Sequence, residues 1–135
     1  HDQAEVAAAL LERGANPNVE MRNLATPLHL AVRDGHGKVA AILIKNGADI
    51  ENEDEEQYRP LHYAALHGHA DVVRMLLREG ADVEALTISL ETPLTLAAAR
   101  NHLDTVNTLV AHGANVAAKT LVGETSLSRA IAMGY

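Results

Sequence analysis

The sequence contains no cysteine, no phenylalanine and no tryptophan, and only three of its 135 residues are tyrosine. Without cysteine, a disulfide framework and a thiolate metal site are both excluded, and we expect an intracellular protein of the reducing cytoplasm or nucleus. No apolar run approaches the roughly 18 residues that cross a bilayer, so we expect no membrane insertion. With so few aromatic rings, the core must consist of Leu, Val, Ile and Ala, whose small side chains suit elements that approach closely.

The sequence also lacks positive charge where a nucleic acid would need it. The formal net charge is −7, and residues 51–91 alone carry ten acidic and three basic side chains. That segment would repel a polyanion, and the sequence offers neither a basic stripe nor stacking aromatic residues elsewhere. We therefore expect no nucleic-acid partner.

No pattern typical of a catalytic or cofactor site is found. The three serines lie in no nucleophile-elbow context, and no glycine-rich phosphate-binding loop occurs. Three histidines, His62, His67 and His69, follow the acidic run ENEDEE at 51–56. His62 and His67 are five positions apart, whereas residues that share a helical face are three or four apart, so they form no local metal chelate. We expect no enzyme activity, no cofactor and no metal, and we expect the acidic run to be a solvated loop.

The main positive signal is an internal repeat of 33 residues. Gly-Ala pairs occur at 14–15, 47–48, 80–81 and 113–114. The phrases ATPLHLAV, YRPLHYAA, ETPLTLAA and ETSLSRAI begin 33 residues apart, at 25, 58, 91 and 124. Two independent markers with one period and no insertion indicate an array of equal structural units.

Each unit is predicted to contain a short helix, a turn, a second helix and an extended loop. Thr26 and Thr92 are suitable N-cap residues, and a proline follows each of them at the first helical position. We expect the first helices to end at Gly35, Gly68 and Asn101, which tolerate a left-handed backbone. Second helices such as DVVRMLLRE carry apolar residues at helical spacing. Because helices of about nine residues are unstable alone in water, the units must stack into a solenoid.

This pattern resembles the ankyrin repeat family, whose 33-residue unit opens its first helix with the phrase Thr-Pro-Leu-His-x-Ala. The resemblance implies an all-α solenoid of helix-turn-helix units joined by β-turn or hairpin loops, and a monomeric domain. It extends over the whole chain as a single array, with half repeats at 1–25 and 125–135 and full repeats at 26–58, 59–91 and 92–124. Because the chain starts before a second helix and stops after a first helix, we expect a segment of a longer array or an array without ordinary capping repeats.

Two positions of the family phrase vary along the chain. His29 and His62 match its histidine, which the resemblance makes a structural residue that ties the helix start to adjacent backbone. Thr95 and Ser128 replace that histidine in the later repeats, and Arg59 replaces the capping threonine.

The glycine of the family's loop also varies. It is kept only as Gly123, while Leu24, Gln57 and Leu90 occupy its other places. A side chain at a position that favours glycine restricts the turn. We therefore expect these three loop tips to be less regular than in idealised members of the family.

The resemblance implies that the chain binds a protein or peptide partner through a concave face made of loop tips and the exposed side of the first helices. Carried over position by position, the partner-binding residues are Arg22, Asn23, Arg33, Asp34, Glu55, Glu56, Tyr58, Leu66, His67, Ile88, Ser89, Glu91, Arg100, Leu121, Val122, Glu124 and Met133, with Ala25, Ala99 and Ala132 as further surface positions. The strip runs from weakly basic, through acidic at 51–58, to aliphatic at 86–90 and 120–122. The aliphatic residues either pack on neighbouring loops or form an exposed interaction patch, and the two interpretations are compatible.

Two other functions fit the same sequence. The segment would be a spacer inside a larger channel, enzyme or scaffold and bind nothing itself, or it would be an engineered array, which the insertion-free period permits. The full-length sequence would identify a spacer, and the scattered departures from the family phrase argue against engineering. The same scaffold serves unrelated partners, so the fold does not name the partner.

Overall fold

The computed structural model describes residues 3–135, and it contains helices and no strand within that range. In chain order the helices are α1 (Gln3–Glu12), α2 (Pro27–Arg33), α3 (Gly37–Lys45), α4 (Pro60–Leu66), α5 (Ala70–Arg78), α6 (Pro93–Ala99), α7 (Leu103–Ala111) and α8 (Ser126–Ala132). The first helices, α2, α4, α6 and α8, begin at the repeated phrase, and the second helices are α1, α3, α5 and α7. The half repeat predicted at 1–25 starts with His1 and Asp2, which lie outside the described residues.

The helices form two layers. First helices stack on first helices, so α2 contacts α4, α4 contacts α6 and α6 contacts α8. Second helices stack in the same order, from α1 to α3, α5 and α7, and each of α2, α4 and α6 packs on the second helix that follows it. The predicted all-α solenoid of helix-turn-helix units is confirmed. No helix among the described residues is long and apolar enough to cross a membrane.

The core between the layers is aliphatic and follows the 33-residue period. Two leucine positions are buried in successive repeats, one in the first helices and one in the second: Leu28, Leu61 and Leu94, then Leu43, Leu76 and Leu109. The Gly-Ala pairs occupy equivalent corners, where the glycine has a positive φ after the second helix. The alanine at 48, 81 and 114 is buried. Truncating one core leucine to alanine costs about 2–5 kcal/mol, so the shared core supplies what short helices lack.

The phrase histidine fixes the start of the first helix. The backbone N–H groups of Thr26 and Arg59 donate to Nδ1 of His29 and His62, each at 3.0 Å. The other ring nitrogen reaches the loop at the end of the same repeat, since Nε2 of His29 donates to the carbonyl oxygen of Tyr58 at 2.9 Å. The histidine therefore has the structural role that the resemblance implied, at Arg59 as well as at Thr26.

Smaller side chains serve the same cap in the later repeats. The hydroxyl of Thr95 accepts from the N–H of Thr92 at 3.2 Å, and the hydroxyl of Ser128 accepts from the N–H of Thr125 at 2.9 Å. Both hydroxyl contacts stay within their own helix start. The replacement of histidine thus keeps the cap and loses the bond to the loop at the end of the repeat.

A second set of histidines reaches back to the preceding repeat. Nε2 of His102 donates to the carbonyl oxygen of Leu66 at 3.0 Å. Its ring lies over Gly68, whose φ is +74° and where an added Cβ would come within 2.4 Å of the ring. His69 covers Gly35 in the same way. Each of these glycines is therefore required both by its backbone conformation and by the ring above it.

Candidate functional site

The four loop tips share one hairpin geometry. The first residue of each tip donates its N–H to the carbonyl of the residue four positions later, at 2.9, 3.0, 3.1 and 2.8 Å for Met21, Asp54, Thr87 and Thr120. The fourth residue has a left-handed φ in every case, 62° at Leu24, 62° at Gln57, 57° at Leu90 and 81° at Gly123. The expectation that tips without glycine would be less regular is therefore wrong. The closing hydrogen bonds hold Leu24, Gln57 and Leu90 in a left-handed conformation that costs roughly 1–2 kcal/mol for each residue with a side chain.

One backbone hydrogen bond joins each tip to the next. The donor N–H and acceptor carbonyl are Glu55 and Asn23 at 3.0 Å, Ile88 and Glu56 at 3.0 Å, and Leu121 and Ser89 at 2.9 Å. Because these bonds use only backbone atoms, they set the spacing of the tips whatever side chains stand there. We call the hairpin tips, together with the exposed side of the first helices, the tip face.

Aliphatic side chains project from the last two tips. The exposed fractions of Ile88, Leu121 and Val122 are 60%, 68% and 77%, and Leu86 and Leu90 beside them are also exposed. These side chains do not bury one another across neighbouring loops. Of the two interpretations of the aliphatic tips, the structure favours an exposed patch.

The acidic run at 51–56 divides into three parts. Glu51 and Glu53 bind the guanidinium of Arg59, with Glu53 at 3.0 Å. Asp54 is only 7% exposed, so the expectation of a solvated loop is wrong at this residue. Glu55 and Glu56 are exposed, and their carboxylates make no hydrogen bond or ion pair within residues 3–135.

Asp54 is buried because its carboxylate organises the tip. One oxygen accepts from the N–H groups of Glu56 and Tyr58, at 3.0 and 2.9 Å. The other oxygen accepts from the hydroxyl of Tyr63 on α4. These three donors replace the water that a buried carboxylate would otherwise need.

A cavity of about 300 Å³ opens between two tips and the end of α4. Its lining residues are Asn23, Asp54, Glu55, Glu56, Tyr58, Tyr63 and Leu66. The structure thus brings five of the carried-over positions around one opening, together with Asp54 and Tyr63, which the sequence did not indicate. A signal for Tyr63 existed, because it is one of three aromatic residues and stands where the other repeats have Leu30, Leu96 and Arg129.

Two tyrosine rings form the aromatic part of this cavity, with centroids 5.4 Å apart. The pKa of Tyr58 is raised to about 12, first by burial and then by the charge of Glu91, whose carboxylate accepts from the Tyr58 hydroxyl at 3.3 Å. Burial also raises the pKa of Tyr63, with a further contribution from its hydrogen bond to Asp54. Both hydroxyls are neutral donors at physiological pH, so the cavity offers hydrogen bonds and ring faces rather than a nucleophile.

The remaining carried-over residues lie along the same face. Arg33 and Asp34 pair with each other at 2.9 Å, and the hydrogen bond from Arg33 holds the pKa of Asp34 below its usual range. Arg129 of α8 binds Glu91 and also approaches Glu124 at 3.6 Å. The other exposed positions are Arg22, Ser89, Arg100, Ala132 and Met133.

Two of the expected surface positions are buried. Ala25 closes a tip by accepting from the N–H of Met21, which draws it into the layer beside the N-cap. Ala99 ends α6, a helix that packs against α4, α7 and α8. The expectation that Ala25 and Ala99 are exposed is therefore wrong.

The clustered histidines serve different parts of the scaffold. His62 is buried with both ring nitrogens bonded to backbone, whereas His67 is exposed at the far end of α4. Burial lowers the pKa of His67, and the neighbouring His69 and Arg100 lower it further. Among the described residues, no group of three or more His, Asp or Glu side chains is arranged to hold a metal ion.

The chain matches known repeat families along most of its length. A model described as Ankyrin repeats (3 copies) matches residues 1–87, and a model described as Ankyrin repeat matches residues 89–121. No curated protein sequence matches the chain. Since the two matches cover well over half of the sequence and agree with the stacked layers, the chain belongs to the ankyrin repeat family.

Proposed function

We propose that the chain binds a protein or peptide partner through the tip face. Ankyrin repeats are generally protein–protein interaction modules and typically not enzymes. The observation that carries the proposal is the exposed aliphatic patch of Ile88, Leu121 and Val122. These side chains stand on tips joined by backbone hydrogen bonds, so little backbone ordering opposes their burial by a partner.

The proposed contact set comprises the predicted residues that are exposed or half-buried on this face. They are Arg22, Asn23, Arg33, Asp34, Glu55, Glu56, Tyr58, Leu66, His67, Ile88, Ser89, Glu91, Arg100, Leu121, Val122, Glu124 and Met133. The family resemblance makes this face concave. The proposed repeat boundaries are those of the 33-residue period, with full repeats at 26–58, 59–91 and 92–124.

The partner's chemistry follows the surface from acidic to aliphatic. Aliphatic or aromatic side chains of the partner would cover Ile88, Leu121 and Val122, where each buried methylene contributes about 0.8 kcal/mol. Basic residues of the partner would lie near Glu55 and Glu56, which gives faster association at low ionic strength.

The test compares the two sides of the array. Ile88→Arg combined with Leu121→Arg is expected to reduce partner capture from native cell extract by tenfold or more, because it places charge in an apolar contact. Lys45→Glu combined with Arg78→Glu changes exposed residues of the second helices and serves as the matched control. Far-UV circular dichroism checks that both variants fold. Equal loss of the partner in both variants would remove the tip face from consideration.

We further propose that the domain is monomeric and acts in the cytoplasm or nucleus. The lack of cysteine supports a reducing compartment, because the fold needs no disulfide. The buried core leucines, such as Leu61 and Leu76, are covered by helices of this one chain, which supports a monomer. Sedimentation equilibrium and imaging of a fluorescent fusion test the two parts separately.

A further inference from the structure

We propose that the cavity beside Tyr58, Tyr63 and Leu66 binds an arginine side chain of the partner. This proposal rests on the proposed function and specifies one contact of the binding surface. The cavity of about 300 Å³ is at the lower end of the volumes of ligand pockets. That volume suits a single side chain better than a larger molecule. The cavity opens on the tip face, where Glu55 and Glu56 lie at its rim.

The walls have the shape and chemistry that a guanidinium requires. The two tyrosine rings lie 5.4 Å apart, are tilted by 50° and both line the cavity, so a planar cation inside it would lie against aromatic rings. Hydrogen bonds from the hydroxyls of Tyr58 and Tyr63 to Glu91 and Asp54 hold both rings in place. Leu66 adds an apolar surface for the methylene stem of an arginine.

The two carboxylates at the rim of the cavity form no ion pair among residues 3–135. Glu55 and Glu56 are exposed and unpaired, whereas Arg59 is bound to Glu51 and Glu53. The buried Asp54 already accepts three hydrogen bonds, so it contributes negative potential without needing a new partner. An arginine can fork toward two carboxylate groups while its plane lies on a ring, a geometry that an ammonium group does not offer.

Titration with a single-residue probe tests the assignment. N-acetyl-arginine methylamide is added to the labelled protein, and N-acetyl-citrulline methylamide, which has the same shape without the charge, is the control ligand. The chain has no Phe or Trp, so its three tyrosine rings are readily resolved by NMR, and the exposed Tyr135 is an internal reference. We expect ring signals of Tyr58 and Tyr63 to shift with the arginine probe while those of Tyr135 stay unchanged. Equal shifts with citrulline, or no shift with arginine at tens of millimolar, would overturn the proposal.

Substitutions at the rim provide the second measurement. Glu55→Gln combined with Glu56→Gln removes two charges and is expected to weaken arginine binding about tenfold, since both ion pairs with the guanidinium are lost. Glu79→Gln, an exposed acid after α5, is the matched control and should leave binding unchanged. Undiminished binding in the double variant would contradict the assignment of these two carboxylates.

The two proposals fail separately. Partner capture that depends on Ile88 and Leu121, but not on Glu55 and Glu56, would keep the proposed function and end the arginine assignment. If arginine binds at the tyrosine rings but partner capture is unchanged in the Ile88 and Leu121 variant, the arginine assignment stands and the aliphatic contact is refuted.

Discussion

Acidification should weaken the array through one buried imidazole, that of His62. Its Nδ1 accepts from the N–H of Arg59 at 3.0 Å, and its Nε2 donates to the carbonyl oxygens of Ala85 at 2.9 Å and Glu91 at 3.2 Å. Protonation would put a hydrogen on Nδ1, directly against the N–H that it accepts from. The pKa of His62 is lowered from 6.5 to about 4, and burial of the imidazole is the largest cause of this shift.

The sign of the effect follows from which state binds more protons. A histidine whose pKa is lowered by folding is protonated first in the unfolded chain, so stability is present above pH 6.5 and is lost as the pH falls toward 4. At pH 5 the unfolded imidazole is almost fully protonated and the folded one is mostly neutral. The difference amounts to about 1.5 pH units at about 1.4 kcal/mol per unit, or about 2 kcal/mol lost between pH 8 and pH 5.

The assay is urea unfolding followed by circular dichroism at several pH values between 8 and 5. His62→Thr copies Thr95, whose hydroxyl keeps the cap at 3.2 Å but makes no bond to the loop at the end of its repeat. We expect this variant to be about 1–3 kcal/mol less stable at pH 8, because the carbonyls of Ala85 and Glu91 lose their donor. Its stability should change less with pH than that of the parent chain, by about 2 kcal/mol over the same range.

His36→Thr is the control, because His36 is exposed and its side chain makes no hydrogen bond in the described structure. Burial also lowers the pKa of His29, and that contribution is common to all three proteins. The reasoning is refuted if His62→Thr keeps the parent's pH dependence, or if the parent becomes more stable on acidification.

Two further predictions concern stability. Gly68→Ala should lower the free energy of unfolding in urea by about 3 kcal/mol, because Gly68 has a φ of +74° and the new Cβ would contact the ring of His102. Gly80→Ala should cost only about 1 kcal/mol, because Gly80 has a φ of +94° but open space around its Cα. Equal costs would show that the His102 ring yields freely. Asp54→Ala should cost about 2–3 kcal/mol because three donors lose their acceptor, while Glu55→Ala should stay within about 0.5 kcal/mol. A similar small loss in both would indicate that water replaces the carboxylate.

Most of the fold could be predicted because its determinants are local and repeated. The phrase that begins at Thr26 contains its own cap, its proline and its core leucine, and the same signals return every 33 residues. A short helix that begins and ends at such signals has one way to bury its apolar side, which is to stack on its neighbours. The two layers follow from that requirement.

The cavity could not be predicted, because its walls come from three separate segments. Asn23 belongs to one tip, Tyr58 to the next, and Tyr63 to a first helix, and their approach depends on the stacking distance between repeats. The acidic run shows the same limit at shorter range. Asp54 and Glu55 are adjacent acids in the sequence, yet the hairpin turns one toward Tyr63 and the other toward solvent.

Because backbone atoms alone form the hydrogen bonds between tips, the spacing of the tips does not depend on their side chains. Arg22, Glu55, Ile88 and Leu121 occupy the same backbone position in successive tips, and they are basic, acidic and aliphatic in turn. Since the amide and carbonyl that join the tips are indifferent to side-chain identity, such positions can be exchanged with little effect on the layers beneath. An ankyrin chain of this kind can acquire a new binding preference by small steps, each of which leaves the molecule folded.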